Sequence, residues 1–172
     1  QDSLEVDNNQ IYSYVDRTID YFVDQLGSLE KVLDFYKKKD VIRDFWNKGD
    51  FIEFNFEKII NKYNLTRTVS LAGYSVRLMV NTHGVDGVQD PKLATLYQQE
   101  MFRNGVLCFS GVLMLSYALN DDDLNVLVSA FDKTCKVIKD AIDSNDSIDS
   151  FLECIPGAPV FKGLREKNAV SN

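Results

Sequence analysis

Asp90-Pro91-Lys92-Leu93-Ala94-Thr95-Leu96-Tyr97-Gln98-Gln99-Glu100-Met101-Phe102-Arg103-Asn104-Gly105 opens the stretch around which the rest of the chain is read, residues 90–142. Asp90 is a capping residue and Pro91 suits the first helical position. Leu93, Leu96, Tyr97 and Met101 then recur at helical spacing until Gly105 stops the helix. Val106-Leu107-Cys108-Phe109 is short and apolar, Ser110-Gly111 breaks it, and Val112 to Ala118 is a second apolar run too short for an ordinary helix. This pattern predicts two strands joined by a turn. A long helix follows. Asn120 can accept hydrogen bonds from the first free amides, and Asp121, Asp122 and Asp123 sit against the positive end of the helix dipole. Leu124, Leu127, Val128, Phe131, Ile138 and Ile142 make one apolar face.

Toward the N-terminus, Ile11, Tyr14, Val15, Phe22, Val23 and Leu26 recur at helical intervals and predict an aromatic-rich helix ended by Gly27. Ser28 reads as the cap of a second helix. Asp40 caps a third, whose stripe is Ile42, Phe45, Trp46, Ile52, Phe56, Ile59 and Ile60, so Trp46 is expected to be buried. Gly49 inside that helix costs about 1 kcal/mol relative to Ala and marks a kink or a close helix approach. Beyond Asn64 the pattern alternates: Thr66, Thr68 and Ser70 against Arg67, Val69 and Leu71, then Val76, Leu78 and Val80 against Ser75, Arg77, Met79 and Asn81, with Gly73 between. Two further antiparallel strands are expected there. Residues 82–90 form a polar loop. After Ile142 the chain is polar to Asp149, and Phe151 to Leu164 carries two prolines, which predicts an extended tail. The fold class is therefore α+β, an antiparallel sheet of about four strands with helices packed on one face, plus an N-terminal helix. Its expected parts are an N-terminal helical segment 1–27, a domain 28–143 and an extended C-terminal tail 144–172.

Composition narrows the function. With 172 residues, 45% of them hydrophobic, the chain can bury one sizeable core. Its 26 acidic and 19 basic residues give a net charge of -7, and phosphate contact needs clustered Lys and Arg, so no nucleic-acid partner is expected. No apolar run reaches the roughly 20 residues that cross a bilayer. With the polar start Gln1-Asp2-Ser3, no membrane partner is expected and the reading is a cytoplasmic protein. Cys108, Cys135 and Cys154 are odd in number and widely spaced, which argues against a disulfide framework or zinc site.

Two segments carry a likeness. Residues 97–107, Tyr97-Gln98-Gln99-Glu100-Met101-Phe102-Arg103-Asn104-Gly105-Val106-Leu107, and residues 115–124, Leu115-Ser116-Tyr117-Ala118-Leu119-Asn120-Asp121-Asp122-Asp123-Leu124, form a helix ending in Gly, a strand, a Ser-aromatic-Ala strand end and an acidic-capped final helix. This order resembles the C-terminal small domain of class III pyridoxal-phosphate aminotransferases, the family of glutamate-1-semialdehyde aminomutase. The resemblance covers roughly Ser28 to Arg165. It implies a C-terminal domain or truncated form of such an enzyme, one that supplies a pocket wall and an interface but is not catalytic alone. The cofactor lysine, the pyridinium partner and the phosphate loop belong to the family's large domain, so this chain by itself is expected to hold no cofactor. Partners would be that large pyridoxal-phosphate-binding domain or a second copy. The alternative is a non-enzymatic interaction module that kept the fold.

Three residues are read as substrate-facing, against the alternatives of a solvated or surface-paired arginine for Arg77 and a plain turn residue for Ser110. Arg77 has a planar fork suited to a carboxylate, and Ser110 and Gly111 stand at the turn that corresponds to the pocket wall. No residue is expected to be catalytic. His83, the sole histidine, reads as a solvated loop residue. Asp121 to Asp123 are explained by capping. Asp140, Asp143, Asp146 and Asp149 lack the Gly and terminal Glu of a calcium loop, so no metal is expected. Cys108 reads as an inert buried thiol.

Overall fold

A computed structural model describes residues 27–84, 87–108, 111–144 and 146–156. The expected N-terminal helix from Ile11 to Leu26 and the tail beyond 156 lie outside the described residues. The chain divides between Arg43 and Asp44 into two units. In the first, residues 27–38 are helical (α1), so Gly27 does not stop a helix and Ser28 does not cap one. Asp40 does act as a cap: its Oδ1 accepts from the Arg43 amide at 3.4 Å, and its Oδ2 lies 3.1 Å from Arg43 Nε. There α2, Val41–Lys62, begins.

The second unit is built on the remainder of α2, α3 (Pro91–Arg103), α4 (Asp121–Asp143) and two short strands, β1 (Val69–Ala72) and β2 (Met79–Thr82). Each helix end is set by its sequence. Asp90 Oδ1 accepts from the amides of Lys92 at 2.8 Å and Leu93 at 3.3 Å, and Gly105, at φ +84°, turns the chain out of α3. Asn120 and Asp123 form a reciprocal capping box at 3.0 and 2.9 Å, which leaves two fewer unpaired amides at the start of α4. The apolar faces meet in one core of Ile52, Phe56, Leu96, Tyr97, Met101, Phe131, Cys135 and Ile138. At its centre Phe56 stacks on Phe131 with ring centroids 3.6 Å apart, and Tyr97 meets Phe131 edge-on at 6.3 Å. Behind α3, a 3-10 turn over Ile148–Phe151 is followed by chain held through Gln99, which donates to the Phe151 carbonyl and accepts from the Glu153 amide at 2.9 and 2.8 Å.

The sheet differs from expectation. Among the described residues it has two antiparallel strands, in register Val69 with Thr82 and Ala72 with Met79, not four. Three local causes account for the difference. Residues 66–68 form a turn before β1. Gly73 at φ +92° throws the chain into a 3-10 turn over Ser75–Arg77, closed by Arg77 N–H to the Tyr74 carbonyl at 2.7 Å, so the anticipated strand from Ser75 is cut to Met79–Thr82. Residues 106–108 belong to no helix or strand. Of the run from Val112 to Ala118, only a single bridge from Val112 to Met79 forms before a turn at Tyr117-Ala118.

Gly49 marks a close approach, of backbone and not of a helix. A Cβ there would stand 2.5 Å from the Ser75 carbonyl carbon, so α2 lies against the 3-10 turn. Trp46 is not buried: it is 42% exposed and meets Tyr74 edgewise at 6.3 Å. At roughly 100° per residue it lies about 120° around α2 from Ile52, off the face that faces the core.

Candidate functional site

The three expected substrate-facing residues meet different fates. Arg77 ends the 3-10 turn and its side chain is exposed, with no ion pair among the described residues. Gly111 is buried and sits at φ +77°. A Cβ on it would come within 2.2 Å of the Val80 carbonyl oxygen, so its backbone is pressed onto β2. Ser110 lies outside the described residues. The backbone brings the two described positions to the same strand edge: Leu78, next to Arg77, accepts from the Leu113 amide at 2.8 Å, and the Val80 amide donates to Gly111 at 2.9 Å.

A cleft of about 470 Å³ lies between α2 and the start of α4, lined by Asp44, Asn47, Lys48, Phe51, Asp121, Leu124 and Asn125. The α2 residues recur at i, i+3, i+4 and i+7, one face of a helix. That spacing is a signal sequence reading could have used and did not. Lys48 is committed within it. Its side chain is 12% exposed, its Nζ lies 2.6 Å from Asp44 Oδ2 without hydrogen-bond alignment, and it donates to the Tyr117 carbonyl at 3.0 Å. Asp121 and the two asparagines leave the cleft able to hydrogen-bond a small polar molecule over Phe51 and Leu124. They supply no nucleophile paired with a base.

His83 departs from the solvated loop expected of it. It is half-buried, bridged to Gln89, and its Nε2 lies 3.0 Å from Ser70 Oγ. That is the reach of a nucleophile and its base. The third member of such a set would hold Nδ1, and Nδ1 is buried without a hydrogen-bond partner among the described residues. The pair therefore reads as a cross-strand contact at the end of the hairpin. Two of the thiols are equally quiet: burial pushes Cys108 up and Cys135 up to about 12, the latter helped by Asp132, which disfavours the thiolate in both. Among the described residues no three His, Cys, Asp or Glu side chains gather as for a metal.

Pyridoxal phosphate asks for a lysine able to give up its proton, a carboxylate at the ring nitrogen and an anion cradle. Two of the described lysines and one helix start run against those needs. Lys62 and Lys136 are held above the ordinary lysine value by hydrogen bonds to Asp132 and Asp140, opposite in direction to what imine chemistry needs. The start of α4, where a phosphate would dock, carries three aspartates.

No protein-family model and no curated protein matches the chain. Among solved structures it is similar to the FumI protein of Sphingopyxis sp. MTA144, solved in its pyridoxal-phosphate internal aldimine form. The TM-score is 0.55 at 14% sequence identity, over 67% of this chain and 27% of that one. The chain thus shares a fold with part of a pyridoxal-phosphate protein, and the match spans about a quarter of that protein's length. No helix among the described residues is long and apolar enough to cross a membrane.

Proposed function

We propose that this chain is the C-terminal small domain, or a truncated form, of a class III pyridoxal-phosphate aminotransferase or aminomutase, and that it is not catalytic by itself. The observation that carries the reading is the partial fold match: 67% of this chain superposes on 27% of a protein that holds pyridoxal phosphate. The sequence order of Gly-ended helix, short apolar runs and acidic-capped helix supports the same assignment. In the whole enzyme the cofactor would supply the electron sink, and this chain would contribute surface around the substrate. Arg77 is free of ion pairs among the described residues, and its exposed guanidinium can take a substrate carboxylate bidentately. Gly111 keeps the wall segment against β2, and Ser110 stands beside it in the sequence.

Reading the encoding DNA upstream of Gln1 tests this. The expected result is an open frame that continues into a lysine-bearing large domain, or a neighbouring frame that encodes one. A start codon immediately before Gln1 with no such frame nearby would contradict the assignment and favour the interaction module.

A further inference from the structure

In the cleft between α2 and the start of α4, three polar side chains are left over from folding. Asn47, Asp121 and Asn125 line it and make no side-chain hydrogen bond or ion pair among the described residues. They stand with Phe51 and Leu124, and Phe51, 40% exposed, has no ring partner among the described residues. Asp44, Asn47, Lys48 and Phe51 share one face of α2, and Asp121, Leu124 and Asn125 share one face of α4, so the two sets open on the same space. Its volume, about 470 Å³, lies in the range of small-molecule pockets.

Charge decides what the cleft takes. Lys48 Nζ lies 2.6 Å from Asp44 Oδ2 and donates to the Tyr117 carbonyl at 3.0 Å, so these two charges answer each other. Asp121 is the lining charge left unanswered, and Asp122 follows it on the first turn of α4. The positive end of the helix dipole gives no opening to an anion, because the box of Asn120 and Asp123 occupies an amide there and the aspartates repel one. A cation is favoured. Of the two common organic cations, the lining selects guanidinium over ammonium. Asp121 can accept its fork through both oxygens, and the Asn47 and Asn125 carbonyls can accept its remaining N–H groups. Its flat face suits the Phe51 ring, and it sheds water more readily than an ammonium in a half-covered cleft.

We infer that this cleft binds an alkylguanidinium, with Asp121 as the paired carboxylate and Phe51 against the guanidinium plane. The site shares no residue with Arg77, Ser110 and Gly111, and it holds whether or not the enzyme assignment does. The same group arrives on a free guanidine compound or on an arginine of another chain, and two probes distinguish these sources.

Titration of the 172-residue chain with N-butylguanidine, followed by NMR at the side-chain amides of Asn47 and Asn125, tests it. The expected result is a saturable shift of both signals, with affinity severalfold lower for butylamine and lost for butyrate. Asp121→Asn should weaken binding about tenfold, the usual worth of a charge-assisted pair. Asp122→Asn removes the same charge one residue on, outside the cleft lining, and should change affinity by less than about twofold. A blocked peptide, acetyl-Gly-Arg-Gly-amide, separates the sources: tighter binding than butylguanidine supports an arginine on a partner chain, and weaker binding supports a free guanidine compound. The probe series on the unaltered chain depends on no variant, and unchanged circular dichroism would verify the fold of the two that are made. Asn47 and Asn125 signals that do not move, equal affinity for butyrate, or equal weakening by Asp121→Asn and Asp122→Asn would overturn the inference.

Discussion

Cys135 illustrates how a single side chain ties burial to solution behaviour. Its thiol has no exposed surface in the core, and burial raises it from the ordinary 9.0 to about 12. In the folded chain it keeps its proton where the unfolded chain has lost it. Stability from this group is complete below pH 9.0 and is lost as pH rises toward the folded value. Tyr97, pushed well above 10.0 first by burial and then by Cys108, acts in the same direction from a higher pH. Urea midpoints should therefore fall steadily above pH 9.0, and less steeply in Cys135→Ala. Equal slopes in the two proteins would show that this burial has no such linkage. Of the residues proposed to face substrate, sequence reading placed Gly111 at a turn correctly in kind, since a turn before an apolar run asks for Gly. It could not see that the carbonyl of Val80 would lie against it, because such a contact depends on β2 and not on neighbours in the chain. His83 was missed for the same reason: its partner Ser70 stands 13 residues away across the hairpin.

At the scale of elements, the ends of α3 and α4 were legible, as was the pairing of β1 with β2, and the two further strands were not. Asp90-Pro91, the Asn120 capping box and Gly105 act within one turn of themselves, so residues a few positions apart declare the ends of α3 and α4. A strand needs a partner from elsewhere. Val106-Leu107-Cys108 has the composition of a strand, yet Leu107 is 87% exposed because no strand lies alongside among the described residues. The stripe on α2 was over-extended: it runs through Ile52, Phe56, Ile59 and Ile60 and excludes Trp46. Removing a core aromatic costs about 3 to 5 kcal/mol. Trp46 loses mainly its edge contact with Tyr74, so Trp46→Ala should cost only about 1 kcal/mol by denaturant unfolding. A loss near that of a core aromatic would mean that Trp46 is covered in solution. The cleft beside Lys48 belongs to this scale as well. Its α2 half was written in the spacing Asp44, Asn47, Lys48, Phe51, but its α4 half depended on the packing of two helices far apart in sequence.

For the molecule as a whole, the proposed function is a division of labour: this chain would carry surface around a pocket, and the groups that hold and activate pyridoxal phosphate would reside elsewhere. Lysine attachment, pyridinium pairing and phosphate capture are separate physical tasks. Several of the described lysines stand in ion pairs, such as Lys62 with Asp132 at 2.7 Å and Lys139 with Asp143 at 2.7 Å. Exposed lysines, among them Lys37 to Lys39, will still form weak reversible imines with any aldehyde, so colour on mixing decides nothing. The direct measurement is borohydride reduction of the purified chain with stoichiometric pyridoxal phosphate, followed by peptide mass mapping. Scattered trace labelling over many lysines is the predicted result. One lysine labelled close to completion would contradict the account and make this chain a compact enzyme in its own right.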